Sequence, residues 1–325
     1  MMYAFIMIQV CIALLIVLLA REISMTRSSY QFERWKPREQ STWAFRVFKK
    51  HNKELLRMYT AFETSRRLTY SNLGKSAKWE DLASKHLVFV RPLGFDQFDN
   101  MRDWSDAFND LQNWLNLNAL VAISSNLETY MATIIPLALS SDVGTLYGVS
   151  KKIDGIQMLK HGHEKAFDFD QQVISCTKGD WSSRLAAYER YFGRAPKFFS
   201  TNISALERIR TLRNNVAHSF GRDIEASRDQ QQVKTLPIEK LSRDGFLSLQ
   251  KVTWQMAKAI DVHLHQFHIG EFQALAFYHR LYPSLRHDIH PAMRAAELKK
   301  RIGGFGATAA GKEYCKGLVN YYEAL

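Results

Sequence analysis

Residues 102–139 constrain the fold more than any other part of the chain. Trp104, Phe108, Leu111, Trp114, Leu115, Leu120, Ile123, Leu127, Tyr130 and Ile134 recur there at near three- and four-residue intervals, with Pro136 close to the end. This periodicity places apolar side chains on one stripe of an α-helix and predicts one long helix or two in succession. The same spacing recurs over 25–70, 181–192, 200–218 and 246–282. The last pattern is stopped or bent around Gly270 and ended by Pro283. Thr201 or Asn202 is placed to cap the 200–218 helix. Between 142 and 178, Gly144, Gly148, Gly155 and Gly162 separate shorter helices. Alternating strand patterns are scarce. The nearest is 86–90, a short strand or a buried extended segment bounded by Arg91 and Pro92. With 46% hydrophobic residues in 325, the chain can bury a full core, and the expected fold class is all-α, with no internal repeat.

The formal charge of +12 points to polyanions: nucleic acid, anionic lipid or an acidic partner. Residues 21–80 hold 14 Lys/Arg against 6 Asp/Glu, interleaved with Tyr30, Phe32, Trp35, Trp43, Phe45 and Phe48. Such mixing suits stacking on unpaired bases together with phosphate neutralisation. It equally suits a solvated basic face whose aromatics pack inward. Cys11, Cys176 and Cys315 are widely separated, which argues against a disulfide framework or a zinc knuckle and for a reducing compartment.

Residues 1–20 carry no charge, and Gln9 is their one strongly polar side chain. That length spans a bilayer as a helix. Arg21, Arg27, Arg34, Lys36 and Arg38 follow it, so the expected arrangement is a single-pass anchor on the cytoplasmic face of a membrane. Met25 opens a polar segment and offers an alternative start, which would make the protein cytoplasmic. The expected organisation is an apolar membrane helix over 1–24, a basic aromatic-rich region over 25–99, a helical domain over 100–282 and a tail over 283–325. The small polar residues of 71–76 offer a further boundary, and the tail contains a flexible Gly/Ala segment before a last short helix.

Residues 203–218 read ISALERIRTLRNNVAH. Ile203, Leu206, Leu212 and Val216 supply an apolar stripe, on which Arg213, Asn214 and Asn215 arrive together, followed by His218. An arginine, an adjacent polar residue and a histidine after four intervening residues resembles the signature of the HEPN superfamily. The surroundings also resemble it: Arg208 and Arg210 before the motif, Ser219-Phe220-Gly221 after it, and an earlier helix containing Ser125-Asn126-Leu127-Glu128-Thr129-Tyr130. The resemblance covers roughly residues 100–280. It implies a HEPN-like helical bundle and a metal-independent endoribonuclease that works as a homodimer, with both motifs lining a shared cleft, in antiviral defence or stress-induced growth arrest. In family toxins silenced by nucleotidyltransferase antitoxins, a tyrosine two positions after the histidine is modified. Phe220 stands there and has no hydroxyl.

Chemistry gives the same residues a role. RNA carries its own nucleophile, the 2′-hydroxyl, so cleavage needs a proton carrier and a cation for the charge that gathers on phosphate. His218 can fill the first role and Arg213 the second, with Asn214 orienting the His218 ring or bonding phosphate from one turn earlier. No cofactor or metal is required. Glu128 and Arg210 are the supporting candidates, Glu128 either as a partner for Arg213 or as an ordinary solvated helix glutamate. Around one ideal helix, Arg213 and His218 point about 140° apart, so they converge only at a helix end or between two copies.

Other signals carry less. His263, His265, His268 and His279 invite a metal site but lack a completing carboxylate pattern, and read as ordinary helix histidines. Asn72-Leu73-Gly74-Lys75-Ser76 has Thr69 where a phosphate-binding loop requires glycine, so no ATP site is expected. His287, Asp288 and His290 look like a polar turn. Two alternative functions remain open: a catalytically silent module that binds nucleotide, RNA or a partner protein, and a membrane-associated interaction protein with a chance Arg–His pair.

Overall fold

The structure is a computed structural model that describes residues 31–89, 98–163, 168–219, 222, 237–304 and 310–325. The expected apolar helix over 1–20, Tyr30, Cys11 and Phe220 lie outside these residues. The described chain is α-helical, with two isolated bridges and no strand among the described residues. Of the 86–90 pattern, residues 86–89 are irregular rather than a strand, and Val88 is fully exposed.

By contacts the chain divides into two units: residues 35–273, and residues 31–34 with 274–325. These divisions differ from those expected from composition. The basic region packs into the main helical unit rather than standing apart, because its helix buries aromatic side chains there. The C-terminal stretch is a helical hairpin rather than a tail.

The main unit is organised around α2 (Met101–Ser141). Preceding it, α1 (Trp43–Leu73) starts at Thr42, whose Oγ1 accepts from Phe45 N at 3.1 Å. After it come α3 (Gly155–Lys160), α4 (Asp170–Thr177), α5 (Trp181–Phe192), α6 (Lys197–Thr201) and α7 (Ile203–Ser219). Helix α8 (Arg243–Leu264) runs into a π-turn, His265–Ile269, that ends at Gly270. Helix α9, Phe272–Leu281, belongs for most of its length to the second unit. Asn202 lies between α6 and α7 at the start of the latter: its carbonyl accepts from Leu206 N at 3.0 Å, and its Nδ2 donates back to Phe198 O at 2.9 Å.

The packing explains why α2 is uninterrupted. Leu117, Leu120 and Ile123 form one buried stripe, and from Leu127 onward the buried residues come in adjacent pairs: Tyr130 and Met131, Ile134 and Ile135, Ala138 and Leu139. A helix buried on more than one side is a core helix. Its neighbours are α1, α4, α7 and α8. Although α2 is long and apolar enough to cross a membrane, those same side chains are the core of this unit. Asparagines hold the approach to α8: Asn113 Nδ2 donates to Glu239 O and Asn116 Nδ2 to Leu241 O, at 2.8 and 2.7 Å. Tyr59 OH donates to Asn116 Oδ1 at 2.7 Å, which ties α1 to the same point.

At the other end of α2, Gly155 opens α3 directly against the Ser140 carbonyl, where a Cβ would collide with backbone. Neither partner is a flexible side chain that could move aside. Gly155→Ala is therefore expected to destabilise the protein by about 3 kcal/mol, the overpacking cost of a tight core site. A shift in the denaturant midpoint measures this, and an unchanged midpoint would refute the close approach.

In the second unit, α10 (Pro291–Gly303) and α11 (Lys312–Ala324) pack together. The α11 helix is the expected last short helix. The Arg294 guanidinium makes two 2.8 Å bonds to Glu323 across the pair, and Phe32 packs against Tyr314 and Tyr321. Burial of the α10 stripe, Ala295, Leu298 and Ile302, accounts for a helix where composition suggested a loose tail.

Candidate active site

The α7 stripe turns Leu206, Ile209 and Leu212 into the core, which fixes the direction of every other side chain on that helix. Arg213 emerges half-buried beside α2, with its Nη2 4.0 Å from Glu128 Oε2. Of the two readings of Glu128, the pairing with Arg213 is present, as a long ion pair. Arg213 Nη1 donates to Asn214 Oδ1 at 3.0 Å, while Nε is buried with no hydrogen-bond partner. Asn214 accordingly serves Arg213, and no Asn214–His218 bond is formed. Asn215 is buried, and His218 is exposed near the end of α7.

Helix α7 continues through Ser219. Arg213 and His218 therefore leave its axis about 140° apart. Arg210 does not join the cluster either. It pairs with Glu207 on its own helix, Nε donating to Oε1 at 2.7 Å, and Glu207 Oε2 also accepts from Trp181 N at 3.2 Å. The bond from Arg210 holds the Glu207 carboxyl below its ordinary value.

Glu128 has a second cation that the motif does not contain. Arg184 of α5 donates from Nη2 to Glu128 Oε1 at 3.4 Å and from Nε to Gly179 O at 3.1 Å, and its guanidinium lies 4.5 Å from the Trp181 ring centre. Burial pulls the Arg184 guanidinium below its ordinary value, opposed by Glu128. Its Nη1 is buried without a partner. The cluster is thus one carboxylate between two arginines from different helices, with a polar N–H unspent on each arginine. Arg184 was legible in principle: it sits on the buried stripe of α5 with Trp181, Tyr188 and Phe192, where a charge needs a partner.

The basic surplus of the N-terminal region resolves into two parts. Phe45 and Phe48 pack inward against Tyr130 and Trp254, so they do not form a stacking surface. The cations face outward: Lys49, Lys53 and Arg57, at four-residue intervals on α1, line an open groove of about 720 Å³ with Trp254. Among the described residues no acidic side chain lines this groove.

The four histidines singled out by the sequence are tied into the fold. His263 Nδ1 bonds the Tyr188 hydroxyl at 2.8 Å, His268 Nδ1 bonds Asp142 Oδ2 at 2.9 Å, and His279 Nδ1 bonds the Tyr322 hydroxyl at 2.7 Å. His265 is buried. Burial pushes the Asp142 carboxyl up, but bonds from His268, Ser150 and the Lys151 N–H together hold it below its ordinary value. Among the described residues no His, Cys, Asp and Glu side chains gather in a group of three or more that could hold a metal ion.

None of the protein-family models, curated proteins or solved structures compared with this chain matches it.

Proposed function

We propose that this protein is a HEPN-like, metal-independent endoribonuclease that acts as a homodimer. The observation that carries the reading is the Arg213 guanidinium, pinned by Glu128 and Asn214 on a core-anchored helix and still holding an unspent Nε–H. A cation held in place before the substrate arrives is what stabilisation of a phosphorane requires. His218, solvent-exposed five residues later, accepts the 2′-hydroxyl proton or delivers a proton to the departing 5′-oxygen. The 2′-oxygen bonds phosphorus as the P–O5′ bond breaks, leaving a 2′,3′-cyclic phosphate and a 5′-hydroxyl end.

Because α7 points the two side chains apart, the working site takes Arg213 from one copy and His218 from the other. The Lys49–Lys53–Arg57 groove offers phosphate contacts beside Trp254 for a single strand. Defence or growth arrest is the setting that the resemblance suggests, and attachment to a membrane through residues 1–20 belongs to the same reading.

The test is cleavage of an end-labelled RNA by the full chain in EDTA. Cyclic-phosphate ends, lost in both Arg213→Ala and His218→Ala, are expected. Saturable RNA binding with no turnover in the wild type would favour the silent RNA-binding module instead.

A further inference from the structure

A second site lies in the same unit, built from residues that the Arg213–His218 motif does not share. At the end of α5, Gly193 takes a left-handed conformation (φ 75°) and turns the chain toward α6, which leaves Arg194 and Lys197 exposed on one rim of an open cleft. Lys258 of α8 stands on the other rim. Phe198 and Phe267 supply apolar wall, the latter carried by the π-turn and still 39% exposed. The Arg194 guanidinium lies 4.4 Å from the Phe267 ring centre. π-Turns inside helices recur at functional sites, where they re-aim a side chain. The cleft encloses about 530 Å³, and among the described residues its lining contains three cations and no acid.

His263 also lines the cleft, and it sets the polarity required of a ligand. The fully buried Tyr188 hydroxyl lies 2.8 Å from His263 Nδ1; with that hydroxyl as the donor, the neutral ring keeps its own proton on Nε2. Nε2 is buried and has no hydrogen-bond partner. Burial holds the His263 imidazole down at about 4, so the ring is neutral at physiological pH. A buried donor without an acceptor is uncommon in a native fold and calls for one.

We propose that this cleft binds a small planar organic anion, an aromatic ring bearing phosphate, sulfate or carboxylate. The anionic group sits among Arg194, Lys197 and Lys258, the ring lies against Phe198 and Phe267, and the ligand offers an acceptor to His263. Flat apolar surface, cations on both rims and the volume of an ordinary ligand site all favour this class over a neutral or cationic one.

Calorimetric titration of the full chain with 1-naphthyl phosphate tests the assignment, with inorganic phosphate and 1-naphthol as its two halves. One site per chain is expected, at least about ten-fold tighter than either half, because both kinds of wall are engaged. Lys258→Glu, an exposed position that the fold does not need, should weaken binding by about ten-fold or more, and Lys300→Glu on α10 should leave it unchanged. Absence of saturable binding, 1-naphthol binding as tightly as the phosphate, or equal effects of the two substitutions would overturn the assignment. None of these results bears on RNA cleavage.

Discussion

For the ribonuclease proposed above, replacing either Arg213 or His218 by alanine is expected to lower RNA cleavage about 10²- to 10⁴-fold, the range for loss of a positioned proton carrier or a transition-state cation. The structure gives reasons to expect this without unfolding. His218 is exposed, so its truncation should change stability by less than about 0.5 kcal/mol. Removing Arg213 leaves Glu128 paired with Arg184, so no carboxylate is stranded. Arg213→Lys keeps the charge but loses the fork that bonds Asn214 and reaches Glu128 together. A rate about ten-fold below wild type is expected for it, well above that of the alanine variant. Initial rates on a labelled RNA, alongside thermal melts, separate these outcomes. A variant that melts normally and cleaves normally would remove its residue from the mechanism.

Acid should destabilise this protein well before its ordinary carboxylates titrate. Burial holds the imidazoles of His263 and His265 down at about 4, against 6.5 for a free side chain. Their contribution is fully present above pH 6.5 and is lost as pH falls through 4, because the unfolded chain binds the protons first. Asp261 works in the opposite direction. It is buried beneath Thr42 and Tyr130, and burial raises its carboxyl from 3.8 to about 6. Its contribution is present below pH 3.8 and is lost as pH rises through 6. Two histidines outweigh one carboxylate, so the net loss between pH 6.5 and 4 is on the order of 4 kcal/mol. Urea midpoints across that range measure it. His263→Gln and His265→Gln should flatten the slope, and a midpoint that rises on acidification would show that Asp261 dominates.

Much of the fold was legible because apolar periodicity reports burial directly. The 102–139 pattern became Met101–Ser141, 181–192 became Trp181–Phe192, and the bend expected around Gly270 is the π-turn and its end. The divisions between units were harder to read. Charge and aromatic content suggested that the basic segment stood apart, yet Phe45 and Phe48 are core residues, and only packing decides which face of α1 is turned inward. The candidate site shows the same limit. Residue types and spacing singled out Arg213, Asn214, His218 and Glu128, and the approach of Glu128 to Arg213 follows that reading. Arg210 has the same charge and lies one turn from Arg213, but Glu207 captures it. Arg184 is distant in sequence, so its place on Glu128 depends on α5 packing near α2 and α7. The cleft around His263 was invisible for the same reason: Arg194, Lys258 and Phe267 meet only in the folded chain.

The decisive measurement uses a mixed dimer. Two differently tagged full-length chains, one carrying Arg213→Ala and the other His218→Ala, are co-expressed, and the heterodimer is isolated through both tags. In the proposed shared site each variant alone lacks one half of every site, whereas the heterodimer would retain one Arg213 facing one His218. It should cleave RNA at least about ten-fold faster than either variant homodimer. A heterodimer as inactive as its parents, or a chain that stays monomeric while cleaving RNA, would contradict a site shared between two copies.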